Sequence, residues 1–167
     1  VKRDLWISID PGVGGSGLIL WKNKHDILHH ENVYGSARSW SDRAVEQIQK
    51  INTMFENTRI LPRCSALVCE FPQIWSDSLS QAAANKGDIC KLAACAGMWM
   101  GWGGLNGMTI HSILVNDWKG QLSKSIVRTR CVERLKTLGL SSPEEMFSAH
   151  EWDAIGLGLF HKGLFDK

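Results

Sequence analysis

Leu5-Trp6-Ile7-Ser8-Ile9-Asp10-Pro11-Gly12-Val13-Gly14-Gly15-Ser16-Gly17-Leu18-Ile19-Leu20-Trp21 is the stretch on which the fold turns. Leu5–Ile9 is a short apolar, β-leaning run, and Asp10-Pro11-Gly12 stops it. Gly12, Gly14, Gly15 and Gly17 make the following turn flexible, and Ser16–Lys22 reads as a second strand. Asn23–His25 predicts a hairpin turn into a third strand over Asp26–Val33. Three sequential strands with short connections predict an antiparallel meander. The glycine-rich turn is not a phosphate-cradling P-loop, because the Gly-Lys-Ser/Thr ending is missing. Nor is it a dinucleotide fingerprint, since no helical pattern follows it. Its glycines provide a tight hairpin and leave room for a phosphate backbone beside Asp10.

Downstream the period changes. Ala44, Ile48, Ile51 and Phe55 recur as one face of an amphipathic helix, with Ser41 as the expected N-cap. Ala66–Cys69 is a buried-strand candidate that runs into Glu70 and is stopped by Pro72. Ser80–Met100 predicts a long helix rich in small residues, ended by Gly101, Gly103 and Gly104. Met108–Val115 predicts a fifth strand. Ser123 caps a helix over Lys124–Leu138 with Gly139 beyond its end, and Val127, Cys131, Leu135 and Leu138 face inward. His150–Lys162 predicts the last helix. The expected class is α/β, a mixed five-stranded sheet flanked by helices, with one domain over residues 1–167.

The chain of 167 residues is 44% apolar and 22% charged, enough for a real core. No run of 18 uninterrupted apolar residues occurs, which argues against a membrane span. No charged leader with a long apolar region precedes Leu5, so a cytoplasmic protein is expected. The five cysteines, Cys64, Cys69, Cys90, Cys95 and Cys131, form no C-x-x-C pair; free thiols are expected, with no zinc finger and no disulfide framework. The net charge of +2 conceals a concentration: Asn116–Leu138 carries six basic residues against two acidic ones. A small basic surface on a near-neutral body fits contact with a polyanion, although a solvated helix face would look the same.

Four residues stand out by position. Asp10 ends the first strand and Glu70 the fourth, while His150 and Asp153 lie three apart on one face of the last helix. A charge at the edge of a buried run must be paired or neutralised, and a divalent cation would do this for Glu70. Two Mg²⁺ ions about 4 Å apart, stabilising the attacking and leaving oxygens of a phosphodiester hydrolysis, would suit this set. Asp10 would bridge them, Glu70 and Asp153 would hold either side, and His150 would bind a metal or orient the attacking water. An imidazole ligand also admits Mn²⁺. Spacing alone leaves open that the acids are ordinary turn residues.

ISIDPGVGGSGLILW resembles the first two strands of RuvC-type Holliday-junction resolvases, ALVCEFP is similar to their second acidic strand, and His150-Glu151-Trp152-Asp153-Ala154 resembles their C-terminal helix. The resemblance covers nearly the whole chain. It implies an RNase H-like fold, a homodimer, and Mg²⁺-dependent paired nicking of four-way DNA junctions in a bacterial or phage-infected cell. By motif match the catalytic and metal-binding residues are Asp10, Glu70, His150 and Asp153. Trp118–Lys124 matches the family's basic loop, so Lys119 and Lys124, with Arg128 following, are expected to contact phosphates. The aromatic that often follows the second acid by three residues is Gln73 here; Phe71 and Trp75 are the candidate substitutes. Trp99 and Trp102 are expected in the core or at a dimer interface, and the helix around Ala82–Met100 is expected to supply the isologous surface. The rival readings are an RNase H-like nuclease acting on other branched or flap DNA, and a junction-binding scaffold without catalysis. An actin-like phosphotransferase would need a second domain for which the chain has no room.

Overall fold

The computed structural model describes residues 2–73, 86–140 and 146–165. Its centre is a five-stranded sheet of order β3-β2-β1-β4-β5, built from β1 (Leu5–Asp10), β2 (Gly15–Lys22), β3 (Asp26–Tyr34), β4 (Cys64–Phe71) and β5 (Thr109–Leu114). β1, β2 and β3 form the expected antiparallel meander; β4 and β5 add in parallel.

The alternation of β1 sorts the two faces. Leu5, Ile7 and Ile9 join Ile51, Phe55, Trp99 and Trp102 in one core, under α1 (Trp40–Asn57) and α2 (Asp88–Leu105). Trp6, on the other face, joins Trp21, Trp118, Val127, Cys131, Trp152 and Ile155 in a second core. That core lies under the short α3 (Val115–Trp118), α4 (Lys124–Thr137) and α5 (Ala149–His161). Trp99 and Trp102 are therefore core residues, with their indole N–H groups donated to Ser16 Oγ at 3.2 Å and Asn52 Oδ1 at 3.1 Å. Cys64, Cys69, Cys95 and Cys131 are buried and free, and Cys90 is exposed. No described helix is long and apolar enough to cross a membrane.

Several local expectations need correction. The α1 N-cap is Ser39, not Ser41: its hydroxyl accepts from Asp42 N at 3.1 Å, and Ser41 already lies inside the first turn. Gly101, Gly103 and Gly104 do not end α2 but lie within it; the chain turns at Gly107, whose φ is 70°. Gly103 is small because a Cβ there would sit 2.7 Å from Leu67 Cδ2, so packing outweighs the roughly 1 kcal/mol helix penalty of glycine. Val115 leaves the expected fifth strand to start α3. Residues 80–85 of the expected long helix lie outside the described residues. Ser123 and Gly139 take their expected roles, accepting from Ile126 N and adopting φ 74° respectively.

α5 shows no amphipathic stripe because it is buried on all sides, from Glu151 to Leu159. Close approach makes this possible. A Cβ at Gly158 would lie 2.6 Å from Trp21 Cζ2, one at Gly156 2.6 Å from Trp118 Cζ3, and one at Gly17 2.2 Å from the His150 carbonyl oxygen. The helix thus rests directly on β2, with its N-terminal turn against the end of the sheet where β1 stops.

Candidate active site

The register of the sheet brings the first two acids together. Ile9 pairs with Cys69 across the parallel β1/β4 ladder, so the next residues, Asp10 and Glu70, finish adjacent strands side by side. Both fall on the face covered by α4 and α5, and both are buried. The flanking turn is held by a buried polar network. Ser16 Oγ accepts from Gly12 N at 3.1 Å and donates to Gln47 Oε1 at 2.6 Å, while Gln47 Nε2 donates to Gly12 O at 3.2 Å. The turn glycines are there for space rather than flexibility: none of Gly12, Gly14, Gly15 and Gly17 has a positive φ, and only Gly14 faces open space.

α5 supplies the second pair. Ser148 and Glu151 form a reciprocal capping box, and Glu151 also meets His30 Nδ1 at 2.7 Å, which fixes the helix start. His150 Nδ1 then lies 2.6 Å from Asp10 Oδ2, and Asp153 sits one turn further on. Ser8 Oγ anchors the same helix through Ala154 O at 2.6 Å. At the end of β5, α3 delivers Trp118 and Lys119. The Lys119 ammonium stands 3.0 Å from Glu70 Oε2 and 2.9 Å from Asp153 Oδ2, and Trp118 Nε1 donates to Glu70 Oε2 at 2.9 Å. Lys119, expected on a basic surface, is thus turned into the acid cluster, where only 15% of its side chain is exposed.

The electrostatics follow from this crowding. Burial, reinforced by the Asp10 charge, pushes the Glu70 carboxyl up to about 7 despite the opposing Lys119 charge. Burial likewise lifts Asp153 above the usual carboxylate range. The hydrogen bond to Asp10 raises His150. For Lys119, burial acts to lower the pKa, but the charges of Glu70, Asp153 and Asp10 outweigh it and hold the ammonium protonated. The cluster sets three carboxyls against two basic groups, Lys119 and His150, an imbalance that burial sharpens by opposing ionisation of Glu70 and Asp153.

That imbalance is the observation against which a metal must be tested. The donors are hard oxygens plus one imidazole, the chemistry that Mg²⁺ and Mn²⁺ accept. They are desolvated, and Lys119 marks a point between Glu70 and Asp153 where a cation is held. Among the described residues no three His, Cys, Asp or Glu side chains already surround one point. The site is instead organised in two halves, Asp10 with His150 and Glu70 with Asp153, bridged on one side by Lys119. The residues present fit a divalent cation in charge and donor type.

Around this cluster, Lys124 and Arg128 are exposed on α4, and the Arg128 guanidinium lies 5.9 Å from the centre of the Trp152 ring. Lys124, Arg128, Ser125, Thr129 and Trp152 line a surface groove beside the start of α5. Phe71, on the other side of β4 from Glu70, is half-buried and packs against the α1/α2 core. Trp75 lies outside the described residues. Trp118 and Glu151 have roles that the sequence reading did not assign. Glu151 was signalled by the S-x-x-E pattern of Ser148–Glu151, whereas no local pattern identifies Trp118 as a donor to Glu70.

No protein-family model and no curated protein sequence matches the chain. Solved structures do resemble it. RuvC from Thermus thermophilus in complex with a Holliday junction substrate superposes with a TM-score of 0.65 at 18% identity, covering 94% of this chain and 91% of that one. A second T. thermophilus RuvC structure gives 0.56 at 18% identity, covering 94% and 92%. The mixed sheet with three antiparallel strands first, the flanking helices and this near-complete coverage together give the chain the fold of these RuvC structures, an RNase H-like architecture.

Proposed function

We propose that the protein is a metal-dependent endodeoxyribonuclease that resolves four-way DNA junctions by paired nicking. The observation that carries this reading is the gathering of buried Asp10, Glu70 and Asp153, with the partly exposed His150, around one lysine at one end of a RuvC-type sheet. Asp10, Glu70 and Asp153 would hold two Mg²⁺ ions, with Mn²⁺ as a substitute. Bound there, divalent ions supply charge neutralisation at a phosphate and a lowered pKa for bound water.

The protein's own groups complete the site. His150, fixed by Asp10, orients the attacking water. Lys119 supplies positive charge beside Glu70 and Asp153, where it can meet charge that develops on the scissile phosphate. Lys124 and Arg128 bind flanking backbone phosphates along the groove beside Trp152. The T. thermophilus RuvC of the same fold is seen with a Holliday junction substrate, which supports branched DNA as the substrate class.

A homodimer would set two such sites on opposed strands. The surface that favours it is an exposed stripe on α2 of Cys90, Ala94, Gly97, Gly101 and Gly104, with nothing among the described residues within 4 Å of a Cβ at any of its three glycines. Small residues at helical spacing allow a second helix to approach closely. The dimer would act in the cytoplasm of a bacterial or phage-infected cell.

The test is cleavage of a labelled four-way junction, a flap and a plain duplex, with and without Mg²⁺, by the intact protein and Asp10→Asn. Symmetric nicks on the junction alone, needing Mg²⁺ and lost in Asp10→Asn while junction binding persists, are expected. Preferred cutting of the flap would replace the substrate. Binding without cutting by the intact protein at any metal concentration would make it a scaffold.

A further inference from the structure

We infer that Trp118 is a positioning residue for the metal-binding carboxylate Glu70, acting through its indole N–H. This rests on the proposed metal site and adds to it a residue outside the acid set. Trp118 is completely buried. Its Nε1 donates to Glu70 Oε2 at 2.9 Å, and the Lys119 ammonium, the next residue's, meets the same oxygen at 3.0 Å. One short helix therefore places two adjacent donors on one oxygen of a carboxylate that has two equivalent ones. A carboxylate so gripped cannot rotate freely about its last bond, and Oε1 is left for the cation.

The indole is itself locked. Phe165 packs on it edge to face with ring centres 5.7 Å apart, and Gly156 of α5 lacks the Cβ that would fall 2.6 Å from Trp118 Cζ3. The Lys119 ammonium lies 4.7 Å from the centre of the same ring. Packing alone does not account for the bond. The buried Trp152 Nε1 goes without a partner among the described residues, so this fold accepts an indole used for its bulk alone. Trp118 instead spends a donor-only group on an acid of the site. A neutral N–H aimed at a carboxylate favours its ionised, metal-competent form, and removal of such an outer partner weakens metal binding roughly 10- to 100-fold.

The experiment is a Mn²⁺ titration followed by electron paramagnetic resonance, without DNA, on the intact protein, Glu70→Gln, Trp118→Phe, and the protein carrying benzothienylalanine at 118. That last side chain keeps the indole's shape but has sulfur in place of N–H. Both Trp118 variants are expected to bind Mn²⁺ roughly 10- to 100-fold more weakly, with junction binding in EDTA unchanged. Melting in EDTA identifies any loss of fold. If the phenylalanine variant unfolds, the isostere decides. Wild-type Mn²⁺ affinity in the isostere, alongside lost affinity in Glu70→Gln, would overturn the positioning role and leave the metal site standing. Wild-type affinity in Glu70→Gln would overturn the metal site itself, and this role with it.

Discussion

Glu70→Gln should make the metal-free protein more stable at alkaline pH while ending its activity. Glu70 lies in a buried site beside Asp10, and it titrates near 7 rather than at its ordinary 4.5. A folded-state pKa above the unfolded value means that Glu70's contribution to stability is fully present below about pH 4.5 and is lost as pH rises through 7. Holding it ionised at pH 8 costs about 3 kcal/mol by this difference. Glutamine removes that charge, keeps the side chain's shape, and still offers an oxygen to Trp118 Nε1 and Lys119. Lys119 loses one of its two carboxylates but keeps Asp153 at 2.9 Å, so it stays paired. Allowing for that loss, the net gain at pH 8 is about 1–2 kcal/mol, or roughly 2–8 °C in melting temperature for a chain of this size. Urea unfolding in EDTA from pH 4.5 to 8.5 measures it. The two curves should meet near pH 4.5 and diverge above pH 6, with the variant higher. A variant equal to or below the wild type at pH 8 would refute the claim that the acid cluster is held against a charge imbalance.

Four further outcomes follow from the same geometry. Lys119→Met leaves Glu70 and Asp153 buried without their cation and should destabilise the metal-free protein by roughly 3–5 kcal/mol at pH 8; the loss should shrink at pH 5, below the value of about 7 at which Glu70 titrates, as urea unfolding at the two pH values will tell. Gly17→Ala drives a Cβ into the His150 backbone and should displace the start of α5, abolishing cleavage and lowering stability by about 1–3 kcal/mol in thermal melts. Lys124→Ala should weaken junction binding uniformly across DNA sequences and reduce the slope of log affinity against log salt by about 1, read from fluorescence anisotropy at several ionic strengths. Gly101→Glu, at an exposed position with no neighbour within 4 Å among the described residues, should convert the proposed dimer to a well-folded monomer by light scattering and leave nicking unpaired.

The parts of the fold that could be read from sequence were those set by short-range pattern. The apolar run Leu5–Ile9, its stop at Asp10-Pro11-Gly12 and the turn at Asn23–His25 specified the meander, and Ser123 and Gly139 bounded α4. The last helix was located by its residues although its burial gives no one-sided stripe. Where the reading failed, the cause was tertiary. Gly101, Gly103 and Gly104 look like a helix end, yet Gly103 is demanded by Leu67 and Ile110 across the interface. The glycines of the first turn read as flexibility, but Gly12 and Gly17 are set by what packs on them. For the site, Asp10 and Glu70 could each be placed at a strand end, but it is the parallel pairing of β1 with β4 that sets them side by side. The destination of Lys119 could not be read: it stands between Trp118 and Gly120 at the start of a segment rich in basic residues, and only the turn of α3 at the end of β5 carries it inward. The indole bond of Trp118 to Glu70 spans 48 positions and leaves no local trace.

Everything proposed for this protein requires that Asp10, Glu70 and Asp153 bind divalent ions. Crystals soaked in Mn²⁺ and measured at the manganese absorption edge test it most directly. Anomalous peaks are expected within ligand distance of Asp10, Glu70 and Asp153, with the Lys119 ammonium displaced from its place between Glu70 and Asp153. A map with Mn²⁺ bound elsewhere, and Lys119 still joining Glu70 to Asp153 at saturating metal, would contradict it.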